Sequence, residues 1–419
     1  MAPHFLEPIL APASIALFGA SERPGSKGHV VLARLLDGGF DGALFIIDPQ
    51  QPEIQGQASW PNLDAVGQPV DLAVIATPAD GLADVLRQCG RHGVRGALLL
   101  SGGFDRSSER GKALERELLE IARGFNLRLL GPDCLGIMHS GRHLNATFSN
   151  NHALPGNIAL VSQSGAICTA VLDWAAGQQI GFSSVISMGN AVDVGFGDVL
   201  DYLALDRKAR SILLYVESIR DARRFMSGLR AAARMKPVIV IKPGRHAESS
   251  RVAMSHTHSL VGADDVFAAA LERAGAVRAT TITQLFAAAR VLSDGHLVRG
   301  NRLAIVTNAG GPGVMATDHA LEHDLVLASL SDKTLDALDA GLPEHGSRGN
   351  PVDLHEDAGP ERFKTALEAC LEDAGVDGVI AMLTPQVNSD PLGVARVTAA
   401  LARNARKPLL GCWMGDKQV

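Results

Sequence analysis

Three segments of this 419-residue chain share one local pattern, and their spacing constrains the fold more than any other feature. Each is a short apolar run, followed by a loop of Gly, Ser, Thr or Asn, followed by a run with helical periodicity. The segments start at Ser14, Asn157 and Arg302, so they repeat about every 145 residues. Because that interval is the size of one domain, the repeat predicts three similar domains in tandem.

The predicted strands are continuous apolar runs, such as IALFG, IALVS and LAIVTN. Runs of this kind are typical of parallel strands that are buried on both faces. With amphipathic helices between them, right-handed crossovers give an α/β fold of three open, doubly wound parallel sheets. We expect domains over residues 1–143, 152–295 and 300–419, the third truncated at its C-terminal end. A polar stretch over residues 139–157 is expected to separate the first two domains.

Composition excludes several classes of protein. The net charge of −6 gives no basic surface, so we expect no nucleic-acid partner. No apolar stretch approaches the roughly 18 residues of a membrane span, and the N-terminus lacks the basic residues of a signal peptide. The five scattered cysteines form no CxxC pair and no zinc pattern, which indicates reduced thiols in the cytoplasm and no bound metal.

The first Gly-rich loop runs from Gly19 to Gly28, between a predicted strand and a predicted helix. Backbone N–H groups at such a helix N-terminus can hold a phosphate, and Lys27 would add a positive charge. Asp48 ends the second predicted strand, where NAD-binding domains often place a ribose-binding carboxylate. An NAD-dependent oxidoreductase is therefore one hypothesis. The alternative is that the two glycines only permit tight packing.

Two further loops have the same form. Ser162–Gly165 (SQSG) opens a predicted helix, and its hydroxyls and N–H groups suit inorganic phosphate or a phosphorylated side chain. The alternative is an ordinary N-cap serine. Ala309–Gly313 (AGGPG) in the third repeat is a third candidate anion loop.

A Ser-, Gly- and His-rich segment follows the predicted strand PVIVIKPG and contains His256 and His258. Loops at strand ends often carry function, but the spacing of the two histidines alone does not separate a functional pair from a solvated one. Metal binding would need a third ligand, and none is evident nearby. Glu217 ends another predicted strand, where a carboxylate could orient an imidazole.

Taken together, the segments PASIALFGAS, IATPA, LLSGGF, GPDCLGI, ALVSQSGA, ILLYVESIRDARRF, KPVIVIKPGR, SHT and NPVDL resemble one family. The chain is similar to the nucleoside-diphosphate-forming acyl-CoA synthetases, the superfamily of succinyl-CoA synthetase. It resembles the α-type part of ADP-forming acetyl-CoA synthetase, and equally the N-terminal half of bacterial GNAT-type protein lysine acetyltransferases. The resemblance covers essentially the whole chain. It implies a Rossmann-like CoA-binding domain followed by two flavodoxin-like succinyl-CoA-ligase domains.

The resemblance also implies roles for individual residues. His256 matches the histidine that the family phosphorylates during turnover, and Glu217 matches the glutamate that supports it. The helix N-terminus that holds phosphate corresponds to Ser162, Gln163, Ser164 and Gly165. The residues implied at the CoA site are Gly19, Ser21, Lys27, Gly28, Asp48, Thr77, Pro78, Ser101, Gly102, Asp133 and Cys134.

The implied enzyme is an acid–thiol ligase that interconverts acyl-CoA, phosphate and ADP with a carboxylate, CoA and ATP. Acetate is the default acid of the family. An ATP-grasp domain with Mg²⁺ is not evident in this chain, so the resemblance implies a β-type partner subunit or a missing C-terminal domain, in an oligomeric assembly. The alternative is a non-catalytic CoA-binding regulatory half of a lysine acetyltransferase. Four features depart from the family pattern: His258 replaces a glycine, DPQ at Asp48–Gln50 replaces NPK, Asp133 replaces an asparagine, and the ending CWMG looks more like that of the acetyltransferase relatives.

Overall fold

A computed structural model describes residues 4–102, 108–246, 248–249, 263–293, 300–341, 347 and 349–415. The chain divides into two compact units, residues 1–293 and residues 294–419. The predicted α/β class with three mostly parallel sheets is confirmed. Two of the sheets lie in the first unit and one lies in the second. Within the described parts of the chain, no helix combines the length and apolarity that are needed to cross a bilayer.

The first sheet has seven strands: β1 (Ser14–Phe18), β2 (Ala43–Ile47), β3 (Glu53–Ile54), β4 (Gln57–Trp60), β5 (Leu72–Ile75), β6 (Gly96–Leu99) and β7 (Arg128–Leu130). Their order is β3-β4-β2-β1-β5-β6-β7, and only the β3–β4 pair is antiparallel. The helices of this part are α1 (Glu7–Leu10), α2 (Lys27–Asp37), α3 (Leu82–Arg91) and α4 (Glu109–Phe125). Strands β1, β5 and β6 are buried along their whole length, as their continuous apolar sequences predict.

The second sheet also has seven strands: β8 (Gly136–His139), β9 (Leu144–Thr147), β10 (Pro155–Ser162), β11 (Phe182–Ser187), β12 (Ser211–Tyr215), β13 (Val238–Ile241) and β14 (Val277–Ala279). The order is β14-β13-β12-β10-β11-β8-β9. The helices are α5 (Gly165–Gly177), α6 (Phe196–Leu205), α7 (Ala222–Met235), α8 (Asp264–Ala274) and α9 (Ile282–Ser293).

The polar stretch over residues 139–157 is not a simple connection between the first two sheets. Strands β8 and β9 are antiparallel to each other, and β8 also pairs with β11, so residues 136–147 belong to the second sheet. The predicted boundary at residue 143 lies between these two strands. Strand β9 is buried although half of it is polar, because Thr147 Oγ1 donates to Asn145 Oδ1 at 2.7 Å. Because half of its residues are polar, β9 cannot be recognised as a buried strand from apolar runs in the sequence.

The second unit is built on β15 (Arg302–Thr307), β16 (Val326–Leu327), β17 (Val352–Asp353), β18 (Gly378–Leu383) and β19 (Leu409–Trp413). The strand order is β16-β15-β18-β19, with β17 also paired to β15. Its helices are α10 (Gly310–Glu322), α11 (Asp332–Gly341), α12 (Pro360–Glu372) and α13 (Pro391–Asn404). Its core is a separate cluster around Phe363, which is fully buried.

Within the first unit, an ion pair joins the two sheets. Arg128, at the start of β7, donates from Nε and Nη2 to the two carboxylate oxygens of Asp193, at 2.8 and 3.2 Å. Leu129 N–H donates to the same carboxylate at 2.9 Å. Both charged side chains are about one-fifth exposed (21% and 23%), so water screens this pair only partly.

We expect Asp193→Ala to lower the free energy of unfolding of the first unit by about 2 kcal/mol, because it leaves a half-buried guanidinium and an N–H group without their acceptor. Denaturant unfolding followed by circular dichroism measures the change. The matched control is Asp80→Ala. Asp80 pairs with Arg110 at 2.7 Å, but both side chains are more than 80% exposed. That control should change stability by less than about 0.5 kcal/mol, and equal losses in the two variants would contradict the expectation.

Candidate active site

The first Gly-rich loop is held by contact between its two end glycines. Gly19 follows β1 with a φ of +79°, and Gly28 lies inside the first turn of α2. A β-carbon on Gly28 would lie 1.8 Å from the carbonyl oxygen of Gly19. Ser26 caps the helix by accepting from His29 N–H at 3.2 Å. Tight packing therefore accounts for Gly28, and it places the N-terminus of α2 directly against the end of β1.

Residues that the sequence analysis missed brace this loop from the side. Gln55, in the turn between β3 and β4, donates from Nε2 to the carbonyl oxygen of Ser21 at 3.1 Å, and Gln55 N–H donates to Glu22 Oε1 at 2.6 Å. His29 Nδ1 lies 3.0 Å from the same carbonyl oxygen. The hydroxyl of Ser21 accepts from Arg23 N–H at 3.0 Å. The loop is therefore fixed before any ligand arrives.

Lys27 and Asp133 lie together above Gly102, at the carboxyl ends of the parallel strands, and we call this region the cleft because open α/β sheets bind their ligands there. Lys27 Nζ donates to the carbonyl oxygen of Leu100 at 2.7 Å and lies 4.6 Å from the ring centre of Phe148. A β-carbon on Gly102 would lie 2.8 Å from Asp133 Oδ1 and 3.5 Å from Lys27 Nζ. An ammonium group has three donors, so the anchored Lys27 keeps donors for an anion. A larger residue at 102 would collide with the Asp133 carboxylate, which accounts for the glycine there.

Polar groups after β5 and β6 line the same cleft. The hydroxyl of Ser101 donates to the carbonyl oxygen of Thr77, so these two strand ends are joined. The hydroxyl of Thr77 is buried and has no hydrogen-bond partner among the described residues. A buried polar group without a partner costs free energy unless a ligand or water satisfies it. Pro78, beside it, is exposed. This unpartnered hydroxyl, next to the exposed Pro78, fits a polar ligand such as CoA.

The turn after β7 presents Asp133 but not Cys134. Asp133 has a φ of +57°, a conformation that Asn and Asp tolerate better than most residues, so aspartate can replace the family's asparagine here without backbone strain. Cys134 is 1% exposed and its thiol donates to the carbonyl oxygen of Leu99 at 3.3 Å. Burial raises the pKa of the Cys134 thiol to about 12. Its side chain is committed to the core and does not reach the cleft.

Asp48 also uses its carboxylate locally. Its Oδ1 accepts from Gln50 N–H at 2.8 Å and from Gln51 N–H at 2.9 Å. The side chain therefore closes the turn that follows β2. This geometry explains the residue without a ribose, and it removes the particular support that Asp48 gave to the NAD hypothesis.

The second Gly-rich loop caps α5 through Ser164, and it leaves the first two N–H groups of that helix without an intrahelical acceptor. Ser162 is fully buried, and its hydroxyl donates to the carbonyl oxygen of Ser164 at 2.8 Å and accepts from Ser164 N–H at 3.0 Å. Ser164 Oγ accepts from Ile167 N–H at 3.3 Å as the cap of α5. The first two N–H groups of the helix, on Gly165 and Ala166, have no intrahelical acceptor. These N–H groups, rather than the Ser162 hydroxyl, can hold an anion.

Gln163 connects this loop to the segment that carries Glu217. Gln163 Oε1 accepts from Glu217 N–H at 2.6 Å and from Ser218 N–H at 2.9 Å. Its own N–H donates to the carbonyl oxygen of Tyr215 at 3.2 Å. Glu217 is half-buried. Burial and, to a lesser degree, the nearby Glu217 raise the pKa of the Tyr215 hydroxyl to about 12.

The turn of residues 131–136 lies between the two loops. On one side, Asp133 N–H donates to the carbonyl oxygen of Ser101 at 3.0 Å. On the other side, a β-carbon on Gly165 would lie 3.3 Å from the β-carbon of Leu135. Leu135 N–H donates to Ser187 Oγ at 2.9 Å. A single turn therefore joins the cleft above Gly102 to the N-terminus of α5, an adjacency that linear sequence does not reveal.

The two candidate histidines cannot be placed against this site. His256 and His258 lie outside the described residues, which break at 247 and again over 250–262. Their roles therefore stay predictions. Among the residues that are described, no group of three or more His, Cys, Asp or Glu side chains could hold a metal ion.

Models of known domains match three consecutive parts of the chain. The CoA binding domain matches residues 13–140, the succinyl-CoA ligase like flavodoxin domain matches residues 155–292, and the ligase-CoA domain matches residues 303–419. The order and type of these domains agree with the three sheets described above.

Similar proteins cover almost the whole chain. An ADP-forming acetate–CoA ligase I of Archaeoglobus fulgidus is 37% identical over 414 residues, which are 99% of this chain and 59% of that protein. The α subunit of ADP-forming acetate–CoA ligase I of Pyrococcus furiosus is 35% identical over 416 residues, covering 98% of this chain and 90% of the subunit.

A solved structure agrees with these two sequences. It is a dinucleotide-forming acetyl-coenzyme A synthetase 1 of Ca. Korarchaeum cryptofilum, in complex with phosphate and ADP. It matches with a TM-score of 0.94 at 32% identity, over 99% of this chain and 90% of that one. These relatives give no support to the alternative of a regulatory half of a lysine acetyltransferase. The chain belongs to the ADP-forming acyl-CoA synthetase family, in which it corresponds to the α-type part.

Proposed function

We propose that this chain binds CoA and phosphate in an ADP-forming acetyl-CoA synthetase that works through a phosphohistidine at His256. The observation that supports this most directly is the turn of residues 131–136. It places a cleft with an anchored cation, Lys27, next to an open helix N-terminus at Gly165. A thioester and a phosphate need such neighbouring sites, because the two molecules must react with each other.

The reaction balances without an oxidant or a reductant. A phosphate oxygen attacks the thioester carbonyl of acetyl-CoA, the C–S bond breaks, and the CoA sulfur leaves with a proton. The His256 imidazole then attacks the phosphorus of acetyl phosphate, the P–O bond to the acetyl group breaks, and acetate leaves. The N–H groups of Gly165 and Ala166 hold the phosphoryl oxygens. Glu217 orients the imidazole and stabilises the positive charge that develops on it.

The final transfer of the phosphoryl group to ADP needs a nucleotide site that the described residues do not show. An ATP-grasp domain with bound Mg²⁺ supplies the positioning and charge neutralisation for that step. We assign it to a β-type partner subunit or to a further domain, within an oligomer of α and β parts. The five cysteines form no disulfide, which agrees with a place in the reducing cytoplasm.

Calorimetric titration with CoA tests the first part of this proposal. We expect saturable binding that NADH does not disturb, and we expect Lys27→Met to weaken it roughly 10- to 100-fold, since a charge-assisted hydrogen bond contributes about 1.5–3 kcal/mol. The control is Lys333→Met, because the Lys333 side chain is 89% exposed in the second unit. Absence of CoA binding by the folded wild-type chain would contradict the proposal, and competition by NADH would revive the oxidoreductase hypothesis.

A further inference from the structure

The side-chain oxygen of Gln163 is fully engaged by backbone N–H groups, although this residue lies in the SQSG loop that is predicted to hold phosphate. Its oxygen accepts two backbone N–H groups, at 2.6 Å from Glu217 and 2.9 Å from Ser218. Its Nε2 lies 3.4 Å from Ser218 Oγ. Two short bonds to one carbonyl oxygen use both of its lone pairs. The oxygen of this side chain therefore holds the segment after β12.

The second unit repeats this arrangement of a hydroxyl residue and an amide residue at the end of a strand, with Thr307 and Asn308 in the places of Ser162 and Gln163. We call the arrangement a joint. The hydroxyl of Thr307 donates to the carbonyl oxygen of Ala309 and accepts its N–H, both at 3.1 Å, as Ser162 does with Ser164. The next residue, Asn308, exchanges hydrogen bonds of 2.8 Å with the backbone of Thr384. An amide side chain after one strand thus fixes the exit of the neighbouring strand in both units.

The length of the amide side chain decides which residue is held. Asn308 reaches Thr384, which directly follows β18, and the next residue, Pro385, has no N–H to offer. Gln163 is longer by one methylene and reaches Glu217 and Ser218, the second and third residues after β12. The longer side chain therefore selects the carboxylate-bearing residue.

We propose that Gln163 is a positioning residue, which fixes Glu217 relative to the phosphate-holding N-terminus of α5. This inference rests on the proposed function, because it assumes that Glu217 supports the histidine that is phosphorylated. Gln163 directly precedes the cap residue Ser164, so one rigid element carries both the anion site and the grip on Glu217. The geometry explains why a glutamine lies between two serines that are otherwise occupied with helix capping.

A double-mutant cycle tests this inference. Gln163→Met keeps the length but removes the acceptor oxygen, and Glu217→Gln removes the charge. The rate of ³²P incorporation from inorganic phosphate in the presence of acetyl-CoA is measured on the full chain. We expect Gln163→Met to slow labelling roughly tenfold or more, since small displacements of a catalytic group are costly. If Gln163 acts through Glu217, the double variant is no slower than Glu217→Gln alone. Multiplicative losses would overturn the inference.

Hydrogen exchange separates a failed inference from a failed function. Gln163→Met should lose amide protection at Glu217 and Ser218, and Gln163→Asn, which is too short, should behave alike. Unchanged protection would overturn the positioning role even if labelling falls. Absence of label on the wild-type chain would overturn the proposed function and the inference with it. Asn308→Leu is the control, because it removes the corresponding joint of the second unit. It should lower stability and leave the labelling rate within about twofold.

Discussion

Replacing Gly28 by alanine should abolish CoA binding and lower the stability of the first unit by about 3 kcal/mol, at the upper end of what overpacking costs. The new β-carbon would lie 1.8 Å from the carbonyl oxygen of Gly19. That oxygen belongs to the backbone and cannot rotate away, so the loop or the start of α2 must move. Either movement displaces Lys27 from the cleft. Isothermal titration with CoA and thermal unfolding measure the two effects.

Gly25 provides the control for this substitution within the same loop. Its φ of +77° makes alanine unfavourable there, but a β-carbon would meet no atom within 4 Å. Gly25→Ala should therefore cost only about 1–2 kcal/mol, the usual penalty of a left-handed conformation, and should keep CoA binding. If the two variants lost CoA binding equally, contact between Gly19 and Gly28 would not be what shapes the site.

Replacing His256 by asparagine should eliminate both phosphorylation of the chain and ATP formation, while CoA binding stays unchanged. Asparagine has no nucleophilic ring nitrogen, so the covalent route is removed rather than slowed. Removal of a covalent nucleophile costs on the order of a million-fold in rate, which is beyond detection in a ³²P labelling assay. Calorimetry with CoA supplies the independent readout.

His258 is the matched control, because it lies two residues away in the same segment. His258→Gly restores the residue that the family has at this position, so it should keep the label or increase it, since a glycine permits closer approach to a phosphate. If His258→Gly lost the label and His256→Asn kept it, the phosphorylated residue would be His258 and not His256.

The architecture was largely predictable because it depends on apolar periodicity. Most core strands of the three sheets, such as β1, β5 and β13, are continuous apolar runs, which is the composition that burial on both faces of a parallel strand favours. Strands β9 and β11 are exceptions, because they are buried although half of their residues are polar. Strand β9 satisfies polar side chains against one another, as in the Asn145–Thr147 bond, and this cancellation depends on partners that a linear search does not pair.

The location of the candidate site could be predicted from the sequence, but the hydrogen-bond partners of its side chains could not. The loops at Gly19–Gly28 and Ser162–Gly165 lie where parallel sheets bind ligands, at the carboxyl ends of strands. Two side chains of the predicted site have partners within the fold: the Cys134 thiol donates to the carbonyl oxygen of Leu99, and Gln163 Oε1 accepts from Glu217 N–H. Which way a side chain turns depends on neighbours from distant segments. The brace from Gln55 to the first loop depends on such neighbours in the same way.

The repeated joint after β10 and β15 limits what a short motif can report. A hydroxyl residue followed by an amide residue occurs at Ser162–Gln163 and again at Thr307–Asn308, with the same backbone bonds. A genome search for a hydroxyl residue followed by an amide residue would therefore find proteins that connect neighbouring strands in this way, whatever reaction they catalyse. The two copies differ in the second residue after the neighbouring strand, which is Glu217 in the first unit and Pro385 in the second. A discriminating search must therefore combine two places that lie more than fifty residues apart in the chain.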